Sequence, residues 1–304
     1  MTTLIDNQDI AIDPYEAEFL PRVEKSHAPP SYPRVAPLMD NMRTIDESQL
    51  PYKCGIIFFY HIACTGGASL NWWLGKEKDI NNATYMTDWG RHDGVEPRFI
   101  GKMNDYIKDL GPTQWKVAHA HGFSFFTNTS EPMLYKWREE VESQGCHFIA
   151  ATMLRDAVGH TISQSKTNYK SNKTWSEWIT HLEPENSDER GIFNTQIDYL
   201  LYNRGPRNEF HATKEEKVRR AMELLQRHFD IVLLSDYDKF AQIILKITGW
   251  KGIDVRHHNS FNGELEYTEM ELDKIRRLTV ANGDVQFIDA VKHVYYGYLD
   301  YLVE

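Results

Sequence analysis

A segment of small and hydroxyl-bearing residues follows an apolar run early in the chain. The run from Cys54 to Tyr60 reads CGIIFFY, and a helical pattern begins shortly after it. Backbone N–H groups, hydroxyls and a positive helix end could together bind an anion in the loop between them. A plain strand-to-helix turn is an equally good interpretation, and the G-x-x-x-x-G-K-[ST] pattern of a Walker loop is absent. The candidate anion ligands are Cys64, Thr65, Gly66, Gly67, Ala68 and Ser69.

Two histidines occupy alternate positions at the end of a second apolar run. The run reads Lys116-Val-Ala-His119-Ala-His121-Gly122, and alternate residues of a strand share one face. Histidine has an unperturbed pKa of about 6.5, which suits a general base at neutral pH. Two structural histidines are the alternative. We expect no metal, because the remaining cysteines and histidines show no zinc-ligand spacing.

A third apolar run ends in an arginine that is well suited to bind phosphate. Arg155 follows the run 148–154, and Ser163 lies eight residues further along. A guanidinium at a strand end can bind phosphate through two N–H groups, and a helical serine can donate to the same group. Taken alone, Arg155 and Asp156 would more simply form a surface ion pair.

Strands and helices alternate through the part of the chain that carries these residues. Apolar runs at 54–60, 115–120, 148–154 and 231–234 are separated by helical patterns, which favours a parallel α/β sheet. Capping signals at Thr213 and Thr268 predict two helix starts, and Gly249 predicts the end of a helix that begins near Tyr237. Residues 1–50 are polar and proline-rich, so we expect an N-terminal arm followed by a single domain at 51–304.

Length, composition and charge exclude several classes of protein. The chain has 304 residues, is 41% hydrophobic, and carries 34 basic against 44 acidic side chains, a net charge of −10. Such a chain is neither a disulfide-stabilised miniprotein nor a disordered tail. The negative charge disfavours nucleic acid and anionic membranes as partners, and it favours a small or cationic ligand.

Cysteine usage and hydropathy predict a soluble, cytoplasmic protein. The three cysteines, Cys54, Cys64 and Cys146, offer no disulfide framework, so we expect reduced thiols and a reducing compartment. The N-terminal residues lack the apolar stretch of a signal peptide. No apolar run approaches the roughly 20 residues that span a bilayer.

The loop and the arginine segment together resemble a known enzyme family. FFYHIACTGGASL resembles the 5′-phosphosulfate loop of sulfotransferases that use 3′-phosphoadenosine 5′-phosphosulfate (PAPS), in particular the carbohydrate-type branch. HFIAATMLRDAV resembles that family's 3′-phosphate motif, with Arg155 and Ser163 at the family's spacing. The similarity extends over residues 52–303 and includes Arg256 in an Arg/Asn element near the end.

The resemblance implies a fold, a donor and roles for these residues. The fold would be a three-layer α/β structure with a P-loop-like parallel sheet flanked by helices. PAPS would be the donor, 3′-phosphoadenosine 5′-phosphate (PAP) the product, and no metal would be needed. The loop 64–69, Arg155, Ser163 and Arg256 would bind the nucleotide. The two histidines match the segment that supplies the family's general base, so we expect His121 first and His119 second in that role.

Basic residues are missing at two places where the family has them. The family has a lysine at the position of Cys64, and that lysine helps to move charge off the sulfate. Loss of a charge-assisted donor should lower the rate roughly 10–150-fold unless another group replaces it. His160 also stands where the family often has a basic residue, and it is read as a solvated helix position. Candidate replacements for the loop lysine are Lys53, Lys76, Lys78, His61 and Lys166.

We therefore expect a sulfotransferase that moves a sulfuryl group to a hydroxyl or nitrogen of a small natural product, as in secondary-metabolite tailoring. The net charge of −10 favours a cationic amine or guanidinium over an anionic sugar chain as acceptor. One alternative is a pseudoenzyme or binding module that keeps the nucleotide pocket without turnover. A second alternative is a nucleotide kinase.

Overall fold

Five parallel strands, flanked by helices, form the framework of the chain. The computed structural model describes residues 42–89, 95–121, 130–168, 195–201, 213–252 and 267–302. The strands are β1 Gly55–His61, β2 Thr84–Trp89, β3 Trp115–His121, β4 His147–Leu154 and β5 Ile231–Leu234. The helices are α1 Gly67–Asn81, α2 Val95–Lys108, α3 Ser130–Ser143, α4 Ala157–Asn168, α5 Gln196–Leu201, α6 Lys214–His228, α7 Tyr237–Thr248, α8 Glu269–Asn282 and α9 Asp284–Tyr301.

The sheet has the order β2-β3-β1-β4-β5, which puts β1 at its centre. β1 pairs in parallel with β3 from Gly55↔Trp115 to His61↔His121, and with β4 on its other side. All seven residues of β1 are buried, as expected for a strand covered on both faces. The α/β class and the parallel sheet predicted from the alternating pattern are confirmed.

The chain leaves β1 and β4 in opposite directions, although these strands are neighbours. After β1 it passes over β3 to the edge strand β2, whereas after β4 it continues to β5 at the other edge. In open α/β sheets a crevice forms where neighbouring connections diverge in this way, beyond the carboxyl ends of the strands. The loop after β1 and the segment after β4 therefore flank the position where such folds bind ligands.

The predicted helix boundaries agree with the structure. The Thr213 side chain accepts a hydrogen bond from the Glu216 N–H at the start of α6. Thr268 forms a reciprocal capping box at the start of α8. Gly249 adopts a left-handed conformation, with φ of 69°, directly after α7.

Part of the predicted N-terminal arm packs against the domain. The Arg43 backbone N–H donates to the Gln226 carbonyl at 3.3 Å, and its Nε lies 3.1 Å from Asp230 Oδ1. Ile45 is buried. The compact unit that contains all described residues runs from Asn41 to Glu304. The segment 42–50 therefore belongs with the α/β domain in its contacts.

The prediction of reduced thiols is wrong for two of the three cysteines. Cys54 and Cys146 form a disulfide, while Cys64 is free. Cys54 directly precedes β1 and Cys146 directly precedes β4, so the pairing of these two strands brings the thiols together. The cysteine argument for a reducing compartment no longer holds, because structural disulfides are typical of oxidising compartments. In the described part of the chain, no helix has the length and apolar character needed to cross a membrane.

Candidate functional site

The predicted anion loop is a tight turn between β1 and α1. Cys64 and Gly66 both have positive φ values, 66° and 92°, so two left-handed residues turn the chain sharply within three positions. Thr65 lies between them, fully buried, and its hydroxyl donates to the Ile62 carbonyl at 2.8 Å. The Thr65 hydroxyl, predicted as an anion donor, thus stabilises the turn itself.

The loop ends at the amino terminus of α1. The Ser69 N–H donates to the Gly66 carbonyl at 3.0 Å, and the Ser69 side chain is buried. Gly67 and Ala68 belong to the first helical turn, where N–H groups have no carbonyl partner within the helix and the helix dipole is positive. This end of a 15-residue helix can attract an anion.

Arg155, immediately after β4, reaches the loop. Its guanidinium Nη1 lies 3.4 Å from the Cys64 carbonyl oxygen, and its Nε lies 3.9 Å from Asp156 Oδ2. The side chain remains 37% exposed, so the guanidinium can also contact a ligand. The two segments predicted to bind phosphate are therefore neighbours in the structure.

The Gln196 side chain holds the backbone of Arg155 with two hydrogen bonds. Gln196 Oε1 accepts from the Arg155 N–H at 2.8 Å, and its Nε2 donates to the Arg155 carbonyl at 2.7 Å. Gln196 is fully buried at the start of α5, and its own N–H donates to Asp284 Oδ2 at 3.2 Å. Burial raises the pKa of the Asp284 carboxyl to about 7. These contacts fix the position of the Arg155 backbone at the end of β4.

His160, on α4, binds the loop. It is buried, so its prediction as a solvated helix position is wrong. It is only 1% exposed on α4, and its Nε2 lies 2.9 Å from the Ala63 carbonyl oxygen. Because a carbonyl only accepts, Nε2 must carry the proton. The pKa of His160 is lowered to about 4, chiefly by burial and to a smaller extent by the nearby Arg155 charge, while the hydrogen bond to Ala63 opposes the shift. His160 and Arg155 together bind two consecutive carbonyls of the loop.

Asp156 serves mainly as the cap of α4. Its Oδ1 accepts from the Gly159 N–H at 2.5 Å, and a side chain on Gly159 would overlap the carboxylate. Ser163 lies on the same helix, half-buried and one turn beyond Gly159. The helix that carries His160 and Ser163 is thus fixed at its start, next to Arg155.

Three histidines cluster at the carboxyl ends of β1 and β3. The His61 ring centroid lies 4.4 Å from that of His121 and 5.2 Å from that of His119. Both predicted histidines therefore face the same neighbour, as their alternate spacing indicates. The sequence interpretation named His61 only as a replacement for the loop lysine. The signal for a larger role is its place directly after the most apolar run, as the last residue of β1.

His119 is a buried, uncharged member of this cluster. Its Nδ1 lies 3.0 Å from Asn71 Oδ1 and 2.9 Å from the Tyr85 hydroxyl. The Asn71 oxygen only accepts, which assigns the proton to Nδ1. Burial, and then His121, lower the pKa of His119 to about 3. Burial also lowers the pKa of His61 well below its usual value, with smaller contributions from His119 and His121.

Of the two predicted histidines, His121 is the better placed to act as a general base. His121 is the last residue of β3 and is half-buried, whereas His119 is fully buried. A general base must reach the acceptor, and a group with a pKa of about 3 accepts a proton poorly at neutral pH. His119 is therefore the less suitable of the two predicted bases. Adjacent strands are about 4.8 Å apart, so the ends of β3, β1 and β4 lie within about 10 Å of one another.

Two of the five predicted replacements for the loop lysine, Lys53 and Lys76, lie far from the loop. Lys53 precedes β1, so it lies at the amino-terminal ends of the strands, about 20 Å from the loop at their carboxyl-terminal ends. Lys76 is exposed on α1, about 14 Å along the helix from its start. The side chains of Lys78 and Lys166, and all of Arg256, lie outside the described residues. Among the replacement candidates whose side chains the structure describes, His61 is the one that lies beside the loop.

Tyr237 is a loop neighbour that sequence reasoning named only as a helix start. A Cβ built on Gly66 would overlap the Tyr237 hydroxyl, so the phenol lies directly against the loop. Tyr237 is the first residue of α7, and the strands β2, β3, β4 and β5 all lie between Gly66 and Tyr237 in the sequence. Nothing in the local sequence pattern indicates this contact.

A cavity of about 450 Å³ lies at the amino-terminal ends of the strands, on the side of the sheet away from the loop. Its charged groups bind each other, since Arg138 Nη2 contacts Asp230 Oδ2 at 2.8 Å and Arg43 contacts the same carboxylate. The loop, Arg155 and the histidines instead converge at the carboxyl-terminal ends of the strands. Among the described residues, no group of three or more histidine, cysteine or acidic side chains is arranged to hold a metal ion.

Comparison with known proteins adds no family assignment to this geometry. No protein-family model matches the chain, and no curated protein matches it. The contacts at the carboxyl edge of the sheet are therefore the basis for what the chain is proposed to do.

Proposed function

We propose that the chain is a sulfotransferase that uses PAPS as donor and a small molecule as acceptor. The observation that carries this proposal is the contact between the loop after β1 and the segment after β4. Arg155 and His160 reach the carbonyls of Cys64 and Ala63 across the two strands. The sequence resemblance leads one to expect a phosphosulfate loop beside a phosphate-binding arginine, and this contact supports that pairing.

The residues at this edge fit a nucleotide with two anionic groups. A trans peptide directs its N–H away from its C=O, so binding of the Ala63 carbonyl by His160 turns the Cys64 N–H to the other side. That N–H and the first turn of α1 would hold the 5′-phosphosulfate. The 3′-phosphate would be held by Arg155, whose guanidinium is partly exposed, and by Ser163. When bound, the donor supplies the sulfuryl group, and PAP remains.

His121 would take the proton from the acceptor hydroxyl or amine. A protonated histidine is disfavoured beside another positive charge. His61 and His119 stay uncharged at neutral pH because burial lowers the pKa of both. His121 can therefore accept a proton without a charged imidazole next to it. The net charge of −10 supports a neutral or cationic acceptor over a polyanion.

Calorimetric binding of PAP to the wild type and to Arg155→Ala tests the donor site. We expect micromolar binding to the wild type and a roughly 10–150-fold loss in the variant, the effect of one charge-assisted contact. Arg277→Ala is the matched control, because Arg277 is exposed on α8 and pairs with Asp273 at 3.0 Å. It should bind PAP as the wild type does. Absence of PAP binding to the wild type would overturn the proposal.

A catalytically impaired nucleotide-binding protein is the second candidate. The observation that favours it is Cys64, an uncharged residue at the position where the family has its loop lysine. Radiolabelled sulfuryl transfer from PAPS to a panel of small hydroxyl and amine acceptors separates the two candidates. Tight PAP binding without transfer to any acceptor would support the impaired protein, and transfer that is lost in His121→Ala would support the enzyme.

A further inference from the structure

The Tyr237 hydroxyl lies directly against Gly66 in the anion loop. Gly66 has a φ of 92° and no side chain, and a Cβ at this position would overlap the Tyr237 hydroxyl and ring. The glycine thus serves two purposes, since it permits the left-handed turn and makes room for the phenol. A hydroxyl in direct contact with this loop is close enough to reach an anion that the loop would bind.

The turn that presents Tyr237 is bonded to the strand that presents Arg155. The Ser235 N–H and hydroxyl both reach the Leu154 carbonyl, at 2.8 and 3.1 Å, and Leu154 directly precedes Arg155. Asp236 then caps α7 by accepting from the Lys239 N–H at 2.9 Å. The backbone on both sides of Tyr237 is therefore fixed relative to the arginine, so the phenol is held at the loop by the ends of β4 and β5.

The phenol is in its protonated form at neutral pH. Burial raises the pKa of Tyr237, and the nearby positive charge of Arg155 opposes this only in part. A neutral phenol has one O–H to donate, and hydrogen bonds to a charged acceptor are stronger than those between neutral groups. The hydroxyl can therefore stabilise negative charge at the loop.

We propose that Tyr237 donates a hydrogen bond to the 5′-phosphate group of the nucleotide bound by the loop. In this way the hydroxyl supplies part of the charge stabilisation that the family obtains from a lysine at the position of Cys64. The inference rests on the proposed donor site and identifies one further residue that contacts the nucleotide. It also explains how a loop with an uncharged Cys64 can hold the leaving phosphate.

Calorimetry with two nucleotides and one conservative variant tests this role. Tyr237→Phe keeps the ring against Gly66 and removes only the hydroxyl. PAP carries both a 5′- and a 3′-phosphate, whereas adenosine 3′-monophosphate lacks the 5′ group. We expect Tyr237→Phe to bind PAP roughly 10–150-fold more weakly and adenosine 3′-monophosphate unchanged. Tyr135→Phe, an exposed tyrosine on α3, is the matched control and should change neither affinity.

Three results would overturn the inference, and each has a distinct meaning. Equal PAP binding by Tyr237→Phe and wild type would mean that the ring only packs on the glycine. Equal weakening of both nucleotides, or a lowered unfolding temperature with it, would mean that the hydroxyl maintains the shape of the loop. If the wild type binds neither nucleotide, the proposed donor site fails and this inference fails with it.

Discussion

Replacing His160 with glutamine should make the folded protein less sensitive to acid. His160 is 1% exposed and donates through Nε2 to the Ala63 carbonyl, which holds the loop against α4. Glutamine is uncharged at every pH, and its side-chain N–H₂ can donate to the same carbonyl. The substitution therefore removes a titrating group while it leaves a donor for the loop.

The size of the effect follows from the lowered pKa. The pKa is about 4 in the folded protein against 6.5 for the unfolded chain, because burial disfavours the charged imidazole. As the pH falls below 6.5, the unfolded chain takes up the proton first, so stability present above 6.5 is lost as the pH falls towards 4. Between pH 7.5 and 4.5 this amounts to about 2–3 kcal/mol at ~1.4 kcal/mol per pKa unit.

Urea unfolding at the two pH values measures this quantity. The loss of unfolding free energy between pH 7.5 and 4.5 should be about 2–3 kcal/mol smaller in His160→Gln than in the wild type. Comparing the losses removes any pH-independent cost of the substitution. His293→Gln, an exposed histidine on α9, should lose as much as the wild type. Equal acid sensitivity of His160→Gln and wild type would refute the buried, uncharged state of His160.

Two further predictions concern the disulfide and the support of the arginine. Cys54→Ser combined with Cys146→Ser opens a link with a sequence separation of 92, which should cost about 4–5 kcal/mol and lower the unfolding temperature by on the order of 10 °C. A wild-type unfolding temperature that is indifferent to a reducing agent would contradict this. Gln196→Leu leaves both backbone groups of Arg155 without their partner, so PAP affinity should fall about tenfold or more in calorimetry. Gln144→Leu, on an exposed turn, is its control, and equal PAP affinities in the two variants would count against the positioning role.

The central strands could be predicted from sequence because burial on both faces leaves a clear signal. β1 is buried at all seven positions, β3 and β4 are buried at all but one of theirs, and β5, although it lies at an edge, is buried at three of its four. The edge strand β2, Thr84–Trp89, was not predicted. Its sequence TYMTDW mixes polar and apolar residues, because this edge strand is partly exposed, whereas β5 at the other edge is nearly fully buried.

The candidate site could be predicted only where its residues lie in contiguous motifs. The loop and Arg155 each follow an apolar strand, and a spacing rule finds both. Gln196 and Tyr237 reach the same site from elements further along the chain, through contacts that depend on tertiary packing. Such contacts leave no local pattern.

Cysteine counting failed for a related reason. An odd number of widely spaced cysteines gives no indication of pairing, and Cys54 and Cys146 are 92 residues apart in sequence. Their proximity follows from the parallel pairing of β1 with β4, in which Gly55 lies opposite His147. The strand order, which the sequence does not specify, decides which thiols can meet.

The order of the strands also determines when the site can form during synthesis. β1 emerges from the ribosome first, yet both of its neighbours, β3 and β4, follow only after long intervening segments. Parallel pairing of this kind must wait for loop closure, which is slow compared with local helix formation. The loop after β1 can be held by Arg155 and His160 only once α4 has been made, and by Tyr237 only after α7. The contacts around the loop are therefore complete only after β5, the last strand of the sheet, has been made, because Tyr237 follows it in the chain.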